Sequence, residues 1–180
     1  TGSISGTITD ASDGAVISGA TVYVAGDQSY TQTTSNASGI YTMTNVVEGG
    51  ITIKVSASTY TSQDVFLNYG SKLALTNHNI SLIKQAFGSN NYVIVLTWNG
   101  TILDLDAHLY VPDGGPTEIF TGSQGDIAAP PWAQLDNDET TGFGPETIRI
   151  KQSAGVPFYN GSYGFFVQNS GAGNITASEA

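Results

Sequence analysis

The residues with the most chemistry to offer lie in Leu103-Asp104-Leu105-Asp106-Ala107-His108-Leu109. Strand alternation would put Leu103, Leu105, Ala107 and Leu109 on one face and Asp104, Asp106 and His108 on the other. Two carboxylates spaced i, i+2 stand about 6 to 7 Å apart at the Cα level and repel, at a cost that falls when a cation or a donor sits between them. A second acidic run, Asp136-Asn137-Asp138-Glu139, precedes Gly142-Phe143-Gly144-Pro145-Glu146, whose glycines permit the sharp turns of a coordinating loop. If both runs meet at one end of a fold, Asp104, Asp106, Asp136, Asp138 and Glu146 offer five hard oxygen ligands. Calcium takes about six to eight such oxygens, with backbone carbonyls and water completing the shell, so calcium is the expected ion. An EF-hand loop does not fit: counting from Asp136, Thr141 stands where that loop needs Gly and Thr147 where it needs the closing Glu. The site must therefore be discontinuous. His108 adds a nitrogen suited to a transition metal, but zinc sites usually want more nitrogen or sulfur than one histidine supplies. A merely solvated acidic face is the competing reading.

Catalysis is not expected. The chain has no Gly-x-Ser-x-Gly elbow, no phosphate loop and no His-Glu-x-x-His, and its imidazoles are His78 and His108. A carboxylate pair suffices for glycoside hydrolysis, yet no spacing picks one out. Trp98 reads as core. Trp132, after Pro130-Pro131, is either a loop-pinning residue or a face for stacking on sugar.

Five lysines and arginines stand against 15 acids, so a basic footprint for nucleic acid or an anionic membrane surface is missing. No apolar run is long enough to span a bilayer or form a signal sequence, and the start at Thr1 reads as a processed, mature form. With no cysteine, stability must come from packing, ladder hydrogen bonds or bound ions. Charged residues make up only 11% of a chain rich in Gly, Ser, Thr, Asn and Tyr, a surface chemistry suited to extracellular and polymer-forming proteins. Sequons at Asn36, Asn79, Asn99, Asn160 and Asn174 would permit N-glycosylation.

The elements that must position these groups are strands. Helical periodicity is nearly absent, while short alternating runs separated by Gly, Asn, Asp and Pro recur throughout, which predicts an all-β chain of two tandem β-sandwich domains. In the first, residues 1–84, strands are expected over 3–9, 20–24, 30–34, 39–45, 50–56, 61–67 and 77–83. Residues 85–91 read as a linker, and 92–180 as the second domain. Acids and bases number 5 and 3 before Gln85 but 10 and 2 after it, so the negative charge belongs to the second domain.

Residues 3–82 resemble the carboxypeptidase regulatory-like family, a small transthyretin-like sandwich. The carriers are Ser5-Gly6-Thr7-Ile8-Thr9-Asp10, Ile17 to Val24, Asn36 to Tyr41 and Ile51 to Ala57. The resemblance implies a stability or interaction module without chemistry. From Tyr92 onward the chain is similar to the YfaP-like extracellular domain, on Leu96-Thr97-Trp98, Asp104 to Leu109 and Asp136 to Ile148. That family continues past Gly161 to Asn169 into one more apolar closing strand, whereas this chain ends at Asn174 to Ala180. The edge is then completed either in cis, by Ile175 to Ser178, or in trans, by a segment of a neighbouring subunit. In overall character the chain also resembles archaeal extracellular filament subunits, the cannula proteins in particular.

These readings converge on an extracellular or cell-surface structural subunit that binds calcium in its second domain and polymerises with copies of itself, possible donor-strand pairing included. The alternative is a calcium-stabilised adhesin or carbohydrate-binding module that recognises glycans.

Overall fold

A computed structural model describes residues 1–70, 74–88, 90–98, 104–112, 116–140, 144–152, 159 and 161–171. The chain is all-β, as the alternation predicts, and no described helix is long and apolar enough to cross a membrane. It divides into two compact units: Thr1–Asp10 with Ala15–Gln85, and Ala11–Gly14 with Ala86–Ala180.

The first unit contains β1 (Gly2–Asp10), β2 (Thr21–Val24), α1 (Gln28–Thr31), β3 (Thr33–Thr34), β4 (Ile40–Val46), β5 (Gly49–Ser56), β6 (Gln63–Tyr69), β7 (Ala74–Leu75) and β8 (Ile80–Leu82). One sheet has β1 at its centre, antiparallel to β4 and parallel to β7 and then β8; the other runs β3-β2-β5-β6. Alternation along β1 buries Ile4 and Ile8, which join Val22, Tyr41, Met43, Ile53, Val55 and Leu82 in one core. Each such side chain contributes about 1.5–3 kcal/mol when fully buried.

Residues 30–34 depart from the expected strand. Thr31 Oγ1 accepts the Val24 N–H at 3.0 Å and donates to the Asp27 carbonyl at 2.8 Å, and the Thr31 N–H also reaches Asp27 O at 3.1 Å. These bonds close a single helical turn, so only Thr33–Thr34 remains a strand. The run over 77–83 likewise shortens to β8, because Asn77 takes a left-handed backbone with φ 58°.

Between its pairings with β7 and β8, β1 passes close to the backbone of His78, whose N–H donates to Ser5 O at 3.0 Å. A Cβ on Gly6 would lie 2.0 Å from His78 O, so only glycine fits there.

The second unit contains α2 (Gln85–Gly88) from Ala86 onward, β9 (Asn91–Leu96), β10 (Leu105–Pro112), β11 (Pro116–Ile119), β12 (Gly125–Asp126), β13 (Ala133–Asn137), β14 (Glu146–Lys151) and β15 (Gly164–Asn169). Its sheets are β11-β10-β15 and β12-β13-β14-β9. Ala107, Leu109, Val111 and Ile119 pack with Ala133, Leu135, Ile148 and Ile150 in its core. Part of the expected linker is the turn α2, whose Phe87 ring lies 4.2 Å from Arg149 Cζ on β14. Leu103, Gly142, Phe143 and the segment 172–180, the expected closing strand included, lie outside the described residues.

Gly6→Ala is expected to destabilise the first unit by about 2–3 kcal/mol or more, whereas Gly70→Ala, where an added Cβ meets nothing within 4 Å, should change it by under ~1 kcal/mol. Calorimetric melting of the two variants side by side checks this; equal melting temperatures would remove the close approach at Gly6 from the account.

Candidate metal centre

Glu146 opens β14 on the same face as Ile148 and Ile150, and so points into the second unit with only 1% of its surface exposed. Across the core, the ladder between β11 and β10 ends at Leu109↔Ile119, so the Ala107 N–H two residues further along is left to another acceptor. Glu146 Oε2 supplies it at 2.6 Å, which ties one sheet to the other. The second oxygen, Oε1, is buried without a hydrogen-bond partner.

Three carboxylates converge here: ligand atoms of Asp104, Asp106 and Glu146 all lie within 4.8 Å of one another. Asp104 immediately precedes β10; its backbone carbonyl accepts the N–H groups of Ser170 and Gly171, both at 3.1 Å, and its Oδ1 is buried and unpartnered. Asp106 Oδ2 accepts the Ser170 hydroxyl. Asp138 adjoins the group. It lies within hydrogen-bonding reach of Glu146, accepts Thr121 Oγ1 on Oδ2 at 2.5 Å, and leaves Oδ1 buried without a partner.

Burial foremost, then the charges of Asp138 and Asp106, pushes the Glu146 carboxyl up to about 8 against the restraining Ala107 N–H. Burial, then Asp106, Asp138 and Glu139, raises Asp104 as well. Ionised carboxylates have no proton to share, so the contact between Glu146 and Asp138 is a hydrogen bond only when one of them is protonated. Otherwise it is a repulsion that a cation relieves.

Two residues from the same acidic runs are placed elsewhere. Asp136 is bound by Arg149 through two bonds, Nε to Oδ2 at 2.7 Å and Nη2 to Oδ1 at 2.5 Å. The spacing from Asp136 to Asp138 suggests a shared face, but the β13–β14 register shifts between Leu135 and Asn137, and this bulge breaks the alternation at Asp136. His108 does lie on the Asp106 face of β10, but that face is covered: His108 is 7% exposed and Asp106 8%. The imidazole stacks between Phe120 and Phe166, with centroids at 5.4 and 4.4 Å, and its Nδ1 meets Glu118 Oε1 at 2.9 Å. Ser170, Thr121 and Glu118 thus complete the surroundings, and no spacing in the sequence points to them. Trp98 packs with Leu105, Leu96 and Val167, while Trp132 is half-buried with Lys151 Nζ 5.2 Å from its ring.

The family comparison bears on the first unit. Residues 3–82 match the carboxypeptidase regulatory-like domain. The matched stretch is the one that carries the resemblance in the sequence, and its sandwich is built around β1. A search of curated proteins finds no match. Among solved structures, a type II cohesin–X-dockerin complex from Acetivibrio cellulolyticus is 18% identical with a TM-score of 0.38, over 46% of this chain and 57% of that one. The TIE protein of Bacillus anthracis is 11% identical with a TM-score of 0.34, over 84% of this chain and 31% of that one. The chain thus spans little more than half of the first and about a third of the second.

With the folded Glu146 carboxyl raised to about 8 from 4.5, the folded state binds the extra proton between those values. Cation-free stability is therefore full below about pH 4.5 and falls as pH rises toward 8, by an amount on the order of a few kcal/mol. Glu146→Gln, neutral at every pH, should flatten that dependence in EDTA melts at pH 5 and pH 8. A slope unchanged by the substitution would assign the pH effect elsewhere. Asp136→Asn leaves Arg149 half-paired and should cost about 2–4 kcal/mol while leaving cation affinity intact, which calorimetric titration reads separately from melting.

Proposed function

We propose that this protein is a non-catalytic structural subunit of the cell exterior that assembles into a filament or tube, with calcium held in its second unit and the edge of β15 pairing with another copy. The observation that carries the reading is the buried Glu146 carboxylate, whose unpartnered Oε1 joins Asp104 and Asp106 in one acidic cluster. A buried carboxylate left ionised and unpaired is costly, and a divalent cation both neutralises it and uses its free oxygen. Asp104, Asp106 and Glu146 would hold the ion, with Asp138 beside them; calcium would supply the positive charge and an oxygen-rich shell.

The same cluster connects the cation to the edge. Ser170 and Gly171, just past β15, donate to the Asp104 carbonyl, so an ion there would fasten the end of β15 to the start of β10. Among the described residues β15 pairs with β10 alone. Its Phe165 is 40% exposed although the residue opposite, Leu109, is 1% exposed, so the inward side of this strand is left open at the edge. A strand from a second copy, added beside β15, would cover that side. The reading as non-catalytic is supported by the burial of His108 between two rings and of His78 Nε2 without a partner.

Light scattering across a calcium titration with EDTA reversal should show calcium-dependent growth, and electron microscopy should show filaments or tubes. Monomers under every condition would overturn the polymer. A calcium-stabilised monomer that melts higher with a glycan would instead support the binding-module alternative. Asp104→Asn with Asp138→Asn should lower calcium affinity by at least about tenfold while the cation-free fold persists; an unchanged titration isotherm would remove the site.

A further inference from the structure

We infer that Asn36 is an N-glycosylation acceptor held ready by its turn, whose side-chain nitrogen is presented to a lipid-pyrophosphate-linked oligosaccharide, while the fold closes the sequon at Asn79. For the living cell this rests on the exterior location proposed above; the accessibility of the two sites does not.

Asn36-Ala37-Ser38 lies between β3 and β4, and all three residues are exposed. The turn is held by its own bonds: Asn36 N–H to Ile40 O and Gly39 N–H to Asn36 O, both at 2.9 Å. Asn36 Oδ1 accepts two more, from Ser38 N at 2.9 Å and Ile40 N at 3.0 Å. Gly39 anchors the turn against β1: its φ is +73°, and a Cβ there would fall 2.9 Å from Ile8 O. The side-chain oxygen is therefore engaged twice, which leaves Nδ2 of this exposed residue as the group to offer, with the Ser38 hydroxyl two residues on in sequence.

That division of labour suits the reaction. Nδ2 attacks the anomeric carbon, a C–N bond forms, and the bond from that carbon to the pyrophosphate oxygen breaks with its electron pair. The lipid pyrophosphate departs, and an amide proton passes to a base of the transferring enzyme. The product keeps its amide carbonyl, so the two bonds to Oδ1 survive and the sugar does not undo the turn.

The second described sequon, Asn79-Ile80-Ser81, is closed on both sides. Asn79 Oδ1 accepts the Thr7 N–H at 2.9 Å, and Ser81 Oγ is bonded to Thr9 Oγ1 at 2.8 Å within the β1–β8 ladder. Ser81 is buried, so the hydroxyl that a transferring enzyme must read is out of reach.

The test uses the full chain with Asn99, Asn160 and Asn174 changed to Gln, incubated folded or urea-unfolded with lipid-pyrophosphate-linked oligosaccharide and an oligosaccharyltransferase that requires only Asn-x-Ser/Thr. Glycopeptide mass spectrometry should find Asn36 modified in the folded chain and Asn79 modified only after unfolding. Ser38→Ala, whose melting temperature should stay within a few degrees of the parent, should lose the Asn36 glycan. Equal modification of both sites in the folded chain, or modification of Asn36 only after unfolding, would overturn the inference. Because the assay supplies the enzyme, its failure is separate from failure of the exterior location, which fractionation of the source cells tests.

Discussion

Everything at one end of the second sandwich depends on a single buried glutamate. Glu146 belongs to one sheet and satisfies a backbone N–H of the other, so it cannot be removed without orphaning Ala107. Yet it shares a space with Asp104 and Asp106 in which ligand atoms lie within 4.8 Å. At that separation two full charges repel by about 3–4 kcal/mol at an effective dielectric of about 20, a large share of a stability that totals about 5–15 kcal/mol. The cluster must be partly protonated or hold a cation, and either solution couples the fold to its medium.

The bulge at Asp136 acts on the same end. Asp136 is paired with Arg149 on the face opposite Leu135, so it stays out of the Asp104, Asp106 and Glu146 group, and the register shift beside it breaks the spacing that would put Asp136 and Asp138 on one face. Phe87 covers that guanidinium, so a residue that reads as linker contributes to the packing of β14. Surface chemistry elsewhere on the chain relies little on such pairs, in keeping with its small charged fraction.

The first sandwich rests on a different constraint. Its central strand has to pass the His78 backbone at a distance that only glycine allows, and the apolar alternation on either side of Gly6 fills the core. This unit is the part that matches the carboxypeptidase regulatory-like domain, a stretch without an acidic cluster among its described residues. The acidic cluster therefore lies outside the matched stretch, in the second unit.

By itself the sequence determined what is local and periodic. Alternation gave the all-β class, the inward set Leu105, Ala107 and Leu109, and the opposite set Asp104, Asp106 and His108. Composition located the negative charge in the second half. Tertiary structure decided whatever depends on residues far apart in the chain: that Glu146 reaches Ala107 across 39 positions, that Ser170 meets Asp106 across 64, and that the polar face of β10 is roofed by Phe120 and Phe166. It also decided that Asp136 and His108 have partners of their own, because a one-residue bulge and a cross-strand aromatic pair leave no mark in the spacing of the acids. The physical reason is that a period-2 pattern encodes only which way a side chain points, while what waits there is set by the register of strands joined through long loops.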